Sequence, residues 1–144
     1  MRKISKLLLG AFAVLFLTTS LFAALVPIKT VAFNFGPQKL EETEAIVQKV
    51  CAENNWQTVI YDKMNIIYAT HDAGDWLMTV RIYFTTSRME VTYNSTDLPY
   101  DQAKNLVDAR YMDNMTALAN KFKALLPAPK PAAKPAAKPA VKKK

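Results

Sequence analysis

The sequence predicts an α+β domain of order α-β-β-β-β-α: a four-stranded antiparallel meander with an N-terminal helix and a long C-terminal helix packed on one face. Three observations predict it. Apolar residues recur at three- and four-residue steps between Gln38 and Asn55, four short β-branched and aromatic runs lie between Trp56 and Tyr93, and helical spacing returns after Pro99.

The first helix follows the break at Gly36 and Pro37. Leu40, Ile46, Val47, Val50 and Cys51 share its apolar stripe, and Glu41, Glu42 and Glu44 stand near the N-terminal end, where the helix dipole favours negative charge. Asn54 and Asn55 end it. Trp56–Tyr61, Ile66–Thr70, Trp76–Phe84 and Met89–Tyr93 then read as strands. The stretches between them, including His71–Asp75 with its Gly74, are short enough for hairpins, so a meander follows. Along the third strand Met78, Val80, Ile82 and Phe84 alternate with Thr79, Arg81 and Tyr83, which buries one face and leaves the other in water. After Pro99, Asp101 is placed to cap a helix whose stripe is Val107, Tyr111, Met115, Leu118, Phe122 and Leu125, ended by Pro127.

Both ends of the chain differ in texture from this domain. Arg2, Lys3 and Lys6 precede an apolar run from Leu7 to Ile28, the layout of a secretory signal. Residues 1–23 are expected to be a signal peptide cut near Ala23; an uncleaved membrane anchor is the alternative, because a run of 22 residues also spans about 30 Å of hydrocarbon. Either outcome leaves the remainder exported, in the periplasm or on the outer face of the inner membrane of a bacterial cell. No cysteine stands at the end of the run, where a lipid-modified N-terminus would need one, so lipid anchoring is not expected. Residues 24–36 are expected to be a linker, 37–126 the small domain, and 127–144, PAPKPAAKPAAKPAVKKK, a disordered Pro/Ala/Lys-rich basic tail.

The formal charge of +7 belongs to those ends. Between Pro27 and Pro129 ten Lys and Arg face twelve Asp and Glu, a net of −2, so the domain is not expected to bind nucleic acid. Lys130, Lys134, Lys138, Lys142, Lys143 and Lys144 make the tail an electrostatic arm for anionic envelope polymers or a membrane surface; a solubilising tail or a spacer is the alternative.

Reactive residues are few. A single Cys51 and a single His71 cannot make a multi-ligand His/Cys site, so no metal is expected, and three glycines leave no phosphate-cradling loop and no cofactor fingerprint. Cys51 reads as a buried small hydrophobe and His71 as a solvated turn residue. The best candidate for a ligand or partner surface is the loop after the last strand, with Asn94, Ser95, Asp97 and Tyr100; the plainer reading is a connection in which Asp97 or Asp101 caps the helix and Leu98 plugs the core. The function expected is a non-catalytic binding or scaffolding domain of the envelope. The alternative is a small periplasmic hydrolase in which carboxylates such as Glu90, Asp97, Asp101 and Asp108 converge in the fold.

Tyr93, Ser95, Leu98 and Tyr100, followed by Val107, Tyr111 and Leu118, carry a resemblance. The chain resembles small uncharacterised exported proteins and lipoproteins of proteobacteria, in which a strand ending in Tyr-x-Ser is followed by Leu-x-Tyr and a helix with Ile-His-x-x-Tyr-Asn-x-Trp. Asp108, Met112 and Asn114 stand here at the His, Asn and Trp of that pattern. The resemblance implies a shared fold and an envelope location, and replacing Asp108 and Asn114 by Ala is expected to leave the domain folded.

Overall fold

The computed structural model describes residues 24–61 and 64–131; the expected signal or anchor, and the tail beyond Pro131, lie outside the described residues. The described residues form a mixed α+β protein with two helices and eight strands in two antiparallel sheets. In order these are β1 (Leu25–Pro27), β2 (Val31–Asn34), α1 (Leu40–Glu53), β3 (Trp56–Tyr61), β4 (Ile66–Asp72), β5 (Leu77–Phe84), β6 (Arg88–Thr96), β7 (Tyr100–Asp101), β8 (Leu106–Asp108) and α2 (Ala109–Leu125). The large sheet has the order β2-β6-β5-β4-β3 and the small one β1-β8-β7. No helix among the described residues is long and apolar enough to cross a membrane.

Alternation builds the large sheet. Met78, Val80, Ile82 and Phe84 of β5 are buried, as are Ile67 and Ala69 of β4 and Met89 and Val91 of β6. Register sets these residues opposite one another, Ile67 against Ile82 and Ile82 against Val91, so a single apolar face runs across the strands. Val47, Val50 and Cys51 of α1 and Tyr111, Met115, Leu118 and Phe122 of α2 join that face in one core cluster. Asn54 and Asn55 do end α1, Asn55 in the left-handed region at φ 59°. Burial pushes the Cys51 thiol up to about 12, so at neutral pH it is a protonated core residue.

Four strands were too few. The segment 24–36, expected as a linker, holds β1 and β2, because Val31 and Phe33 alternate toward the core and pair with Val91 and Met89 of β6. The C-terminal helix begins at Ala109 and is capped by Asp108. Residues 100–108 form the β7–β8 hairpin instead, with Asp101 accepting the Lys104 N–H inside its turn and Asn105 left-handed at φ 55°. Val107 is therefore a strand residue, and the stripe ends on Leu126, buried, while Leu125 is exposed. His71 is no turn residue either: β4 runs on to Asp72, and the imidazole lies between Trp56 and Trp76, centroids 5.1 Å and 5.7 Å away. Its Nδ1 is shut off from solvent with no hydrogen-bond partner among the described residues.

Candidate functional site

A β-bulge sets up the site. Thr79 faces Ser95 and Val80 faces Tyr93, which leaves Asn94 as an extra residue in β6. Such a bulge breaks the ladder and re-aims the side chain that carries it. Here the broken ladder is mended from the helix side. The buried Tyr111 hydroxyl donates to the Thr79 carbonyl at 2.5 Å and accepts from the Asn94 N–H at 3.2 Å, satisfying two backbone groups that the bulge parts. Burial holds the Tyr111 phenol well above its ordinary value, so it stays neutral and keeps its donor.

Beyond the bulge β6 stays paired with β5 through Ser95 and Thr96, and a cleft of about 350 Å³ opens between this end of β6 and the β7–β8 hairpin. β6 supplies Tyr93, Asn94, Ser95 and Thr96; the hairpin supplies Tyr100, Gln102 and Asn105; Ile28, between β1 and β2, completes the lining. Ile28 and Asn105 hold that side together. The Ile28 N–H donates to the Asn105 carbonyl at 2.9 Å, and Asn105 Nδ2 returns a bond to the Ile28 carbonyl at 3.3 Å. The Tyr93 ring packs on Tyr111 at 4.9 Å, and burial, with Tyr100 second, pushes its phenol above the ordinary value. Tyr100 is half exposed at the rim. Asn94 Nδ2 reaches Ser95 Oγ at a long 3.4 Å, a contact that a ligand oxygen can replace.

Of the four residues the sequence singled out, Asn94, Ser95 and Tyr100 meet in this cleft. Asp97 does not. Its Oδ1 accepts the Leu77 N–H at 2.7 Å, which fastens the start of β5, and it borders a separate depression with Thr70 and Leu77. Tyr93, Gln102, Asn105 and Ile28 were missed: Gln102 and Asn105 fall where a helix was expected, Ile28 in an expected linker, and Tyr93 on the core face of its strand.

The carboxylates of the enzyme reading are engaged one by one. Glu90 pairs with Arg88 at 2.8 Å on the open face of the sheet, Asp101 with Lys104 at 3.8 Å, and Asp97 with the β5 backbone. Asp108, almost wholly buried, accepts the Arg110 N–H at 2.9 Å and both arms of its guanidinium at 3.0 and 2.8 Å. Those Arg110 side-chain bonds first, helped by its backbone N–H and opposed by burial, hold the Asp108 carboxyl below the usual carboxylate range. Replacing Asp108 by Ala is therefore not neutral for the fold. Among the described residues no group of three or more His, Cys, Asp and Glu comes together to hold a metal ion.

Comparisons with protein-family models, with curated proteins and with solved structures give no match to this chain.

Proposed function

We propose that this is an exported protein of the bacterial cell envelope, akin to the small exported proteins it resembles. Its domain binds an uncharged, polyhydroxylated ligand in the cleft between the sheets, and its lysine tail contacts an anionic envelope surface. One observation carries the domain's role: two phenol rings stand among amides and hydroxyls, with no carboxylate or cation among the described residues of the lining. Such a lining suits a sugar, whose C–H face lies on an aromatic ring while its hydroxyls pair with amides. A charged ligand would have to shed its water there without gaining a counter-charge.

The ends of the domain support the tail's role. The chain enters beside the first residue of α2, where the Ala24 carbonyl accepts the Ala109 N–H at 2.9 Å, and leaves past its last. A helix of 17 residues is about 25 Å long, so the two ends of the domain are well apart. Six lysines beginning at Lys130 thus start from the end away from the N-terminal segment. Cleavage after Ala23 would leave the Ala24 carbonyl and β1 intact.

Retention on an immobilised oligomer of N-acetylglucosamine tests the cleft. The chain is expected to be retarded at high salt as at low, with Tyr100→Ala weakening retention about tenfold, the equivalent of 1.4 kcal/mol. Absence of retention, or equal retention by Tyr100→Ala, contradicts the proposal.

A further inference from the structure

We infer that a second copy of this chain pairs with the outer edge of β3, extending the large sheet across a twofold axis. β3 ends the order β2-β6-β5-β4-β3, so among the described residues one side of its backbone has no strand beside it. Proteins blunt such edges with charges, prolines, bulges or very short strands. β3 uses none of these. Its sequence is WQTVIY, and all six residues pair with β4 in unbroken register. The opposite edge of the same sheet, β2, is only four residues long.

Exposed apolar side chains occur on both faces of this edge. Val59 and Tyr61, 61% and 55% exposed, project to the open face, whereas Ile60, 37% exposed, lies in register with buried Ile67 on the helix face. Met64, 63% exposed, follows in the hairpin. A ligand lying on the open face would cover Val59 and Tyr61 and leave Ile60 in water. An added strand covers all three, because its side chains also alternate between faces.

Charge selects the occupant. A strand bearing Lys or Asp would set its charge against an edge with no counter-charge, whereas β3 against its own copy sets no charge opposite a like one. Faces also match under a twofold. Centred on Val59, the pairing opposes Val59 to its copy and Thr58 to Ile60; centred on Ile60, it opposes Val59 to Tyr61. Six strand residues a side fall short of the roughly 20–30 of a standard interface, so the dimer is weak and concentration-dependent. β4 and β5 separate this edge from β6, which leaves the cleft open.

The test is sedimentation equilibrium of the full chain in a mild detergent, from about 10 μM to about 1 mM, the span that a weak interface requires. Monomer and dimer are expected to exchange, with Val59→Lys and Tyr61→Lys each raising the dissociation constant at least about tenfold and Leu25→Lys, in the small sheet, leaving it unchanged. A second measurement, independent of the lysine variants' folding, is oxidation of Val59→Cys and of Ile60→Cys, one of which is expected to cross-link across the twofold. A monomer throughout, a dimer indifferent to both lysines, growth beyond the dimer, or failure of both cysteines to cross-link overturns the inference.

Discussion

Tyr111 does two jobs with one side chain: its ring fills the core between α2 and the sheet, and its hydroxyl occupies the gap in the ladder at Thr79 and Asn94. Tyr111→Phe keeps the ring and removes the hydroxyl that bridges that gap, leaving a donor and an acceptor without this partner. A loss of about 1–3 kcal/mol in urea unfolding is expected, together with faster hydrogen exchange at the Asn94 amide. An unchanged midpoint would mean that the bulge closes by itself. Asp108 is the other residue whose chemistry carries stability, as cap of α2 and partner of Arg110. Because its folded carboxyl is held below the ordinary value, its contribution is present above the unfolded value of about 3.9 and disappears as pH falls through the lowered folded value. Asp108→Asn is expected to cost about 1–2 kcal/mol at neutral pH and to unfold with a shallower acid dependence, the two curves converging below the folded value. Parallel curves from pH 7 to pH 2 would contradict that assignment.

At the scale of elements, the junction of Gly36 with the end of α2 shows where the domain stops. The Gly36 N–H donates to the Pro127 carbonyl at 2.7 Å, and a Cβ at Gly36 would meet the Ala128 carbonyl oxygen at 2.7 Å. Glycine is needed there because backbone crosses backbone. Pro127 and Ala128, expected in the tail, therefore help to hold the link between β2 and α1 against the end of α2. A chain ending at Ala128 is expected to melt as the full chain does, and one ending at Leu126 to be about 1–3 kcal/mol less stable, since it leaves the Gly36 N–H without an acceptor. Equal melting of the two truncations would remove that contact from the account. The elements legible in the sequence were those with sustained periodicity: α1, the β3–β6 meander and the body of α2. β1, β7 and β8, with two or three residues each, are too short for period-two alternation to register, and β2 lay directly behind a long apolar run that masked its own pattern. Asn94, Ser95 and Tyr100 were found through the chemistry of their loop, whereas Gln102 and Asn105 enter the cleft only because 100–108 is a hairpin. That hairpin was read as helix because Asp101 makes a plausible cap wherever a turn begins.

For the whole molecule, charge and cleft are separate devices. The domain at −2 and the tail with six lysines are expected to part on anionic vesicles: residues 24–144 bind at low salt and release as salt rises, and residues 24–128 do not bind. Binding by both forms, or binding indifferent to salt, would take the electrostatic role from the tail. The ligand proposed for the cleft is uncharged, so salt is expected to release the tail and to leave cleft binding unchanged. Amide shift mapping of the isotope-labelled chain, titrated with a soluble N-acetylglucosamine oligomer, tests the central claim most directly. The account predicts saturable shifts at Asn94, Ser95, Tyr100, Gln102 and Asn105 that need about tenfold more ligand in Tyr100→Ala, with the amides of β3 unmoved. Shifts that fall elsewhere on the domain, or no saturable shift at all, would contradict it.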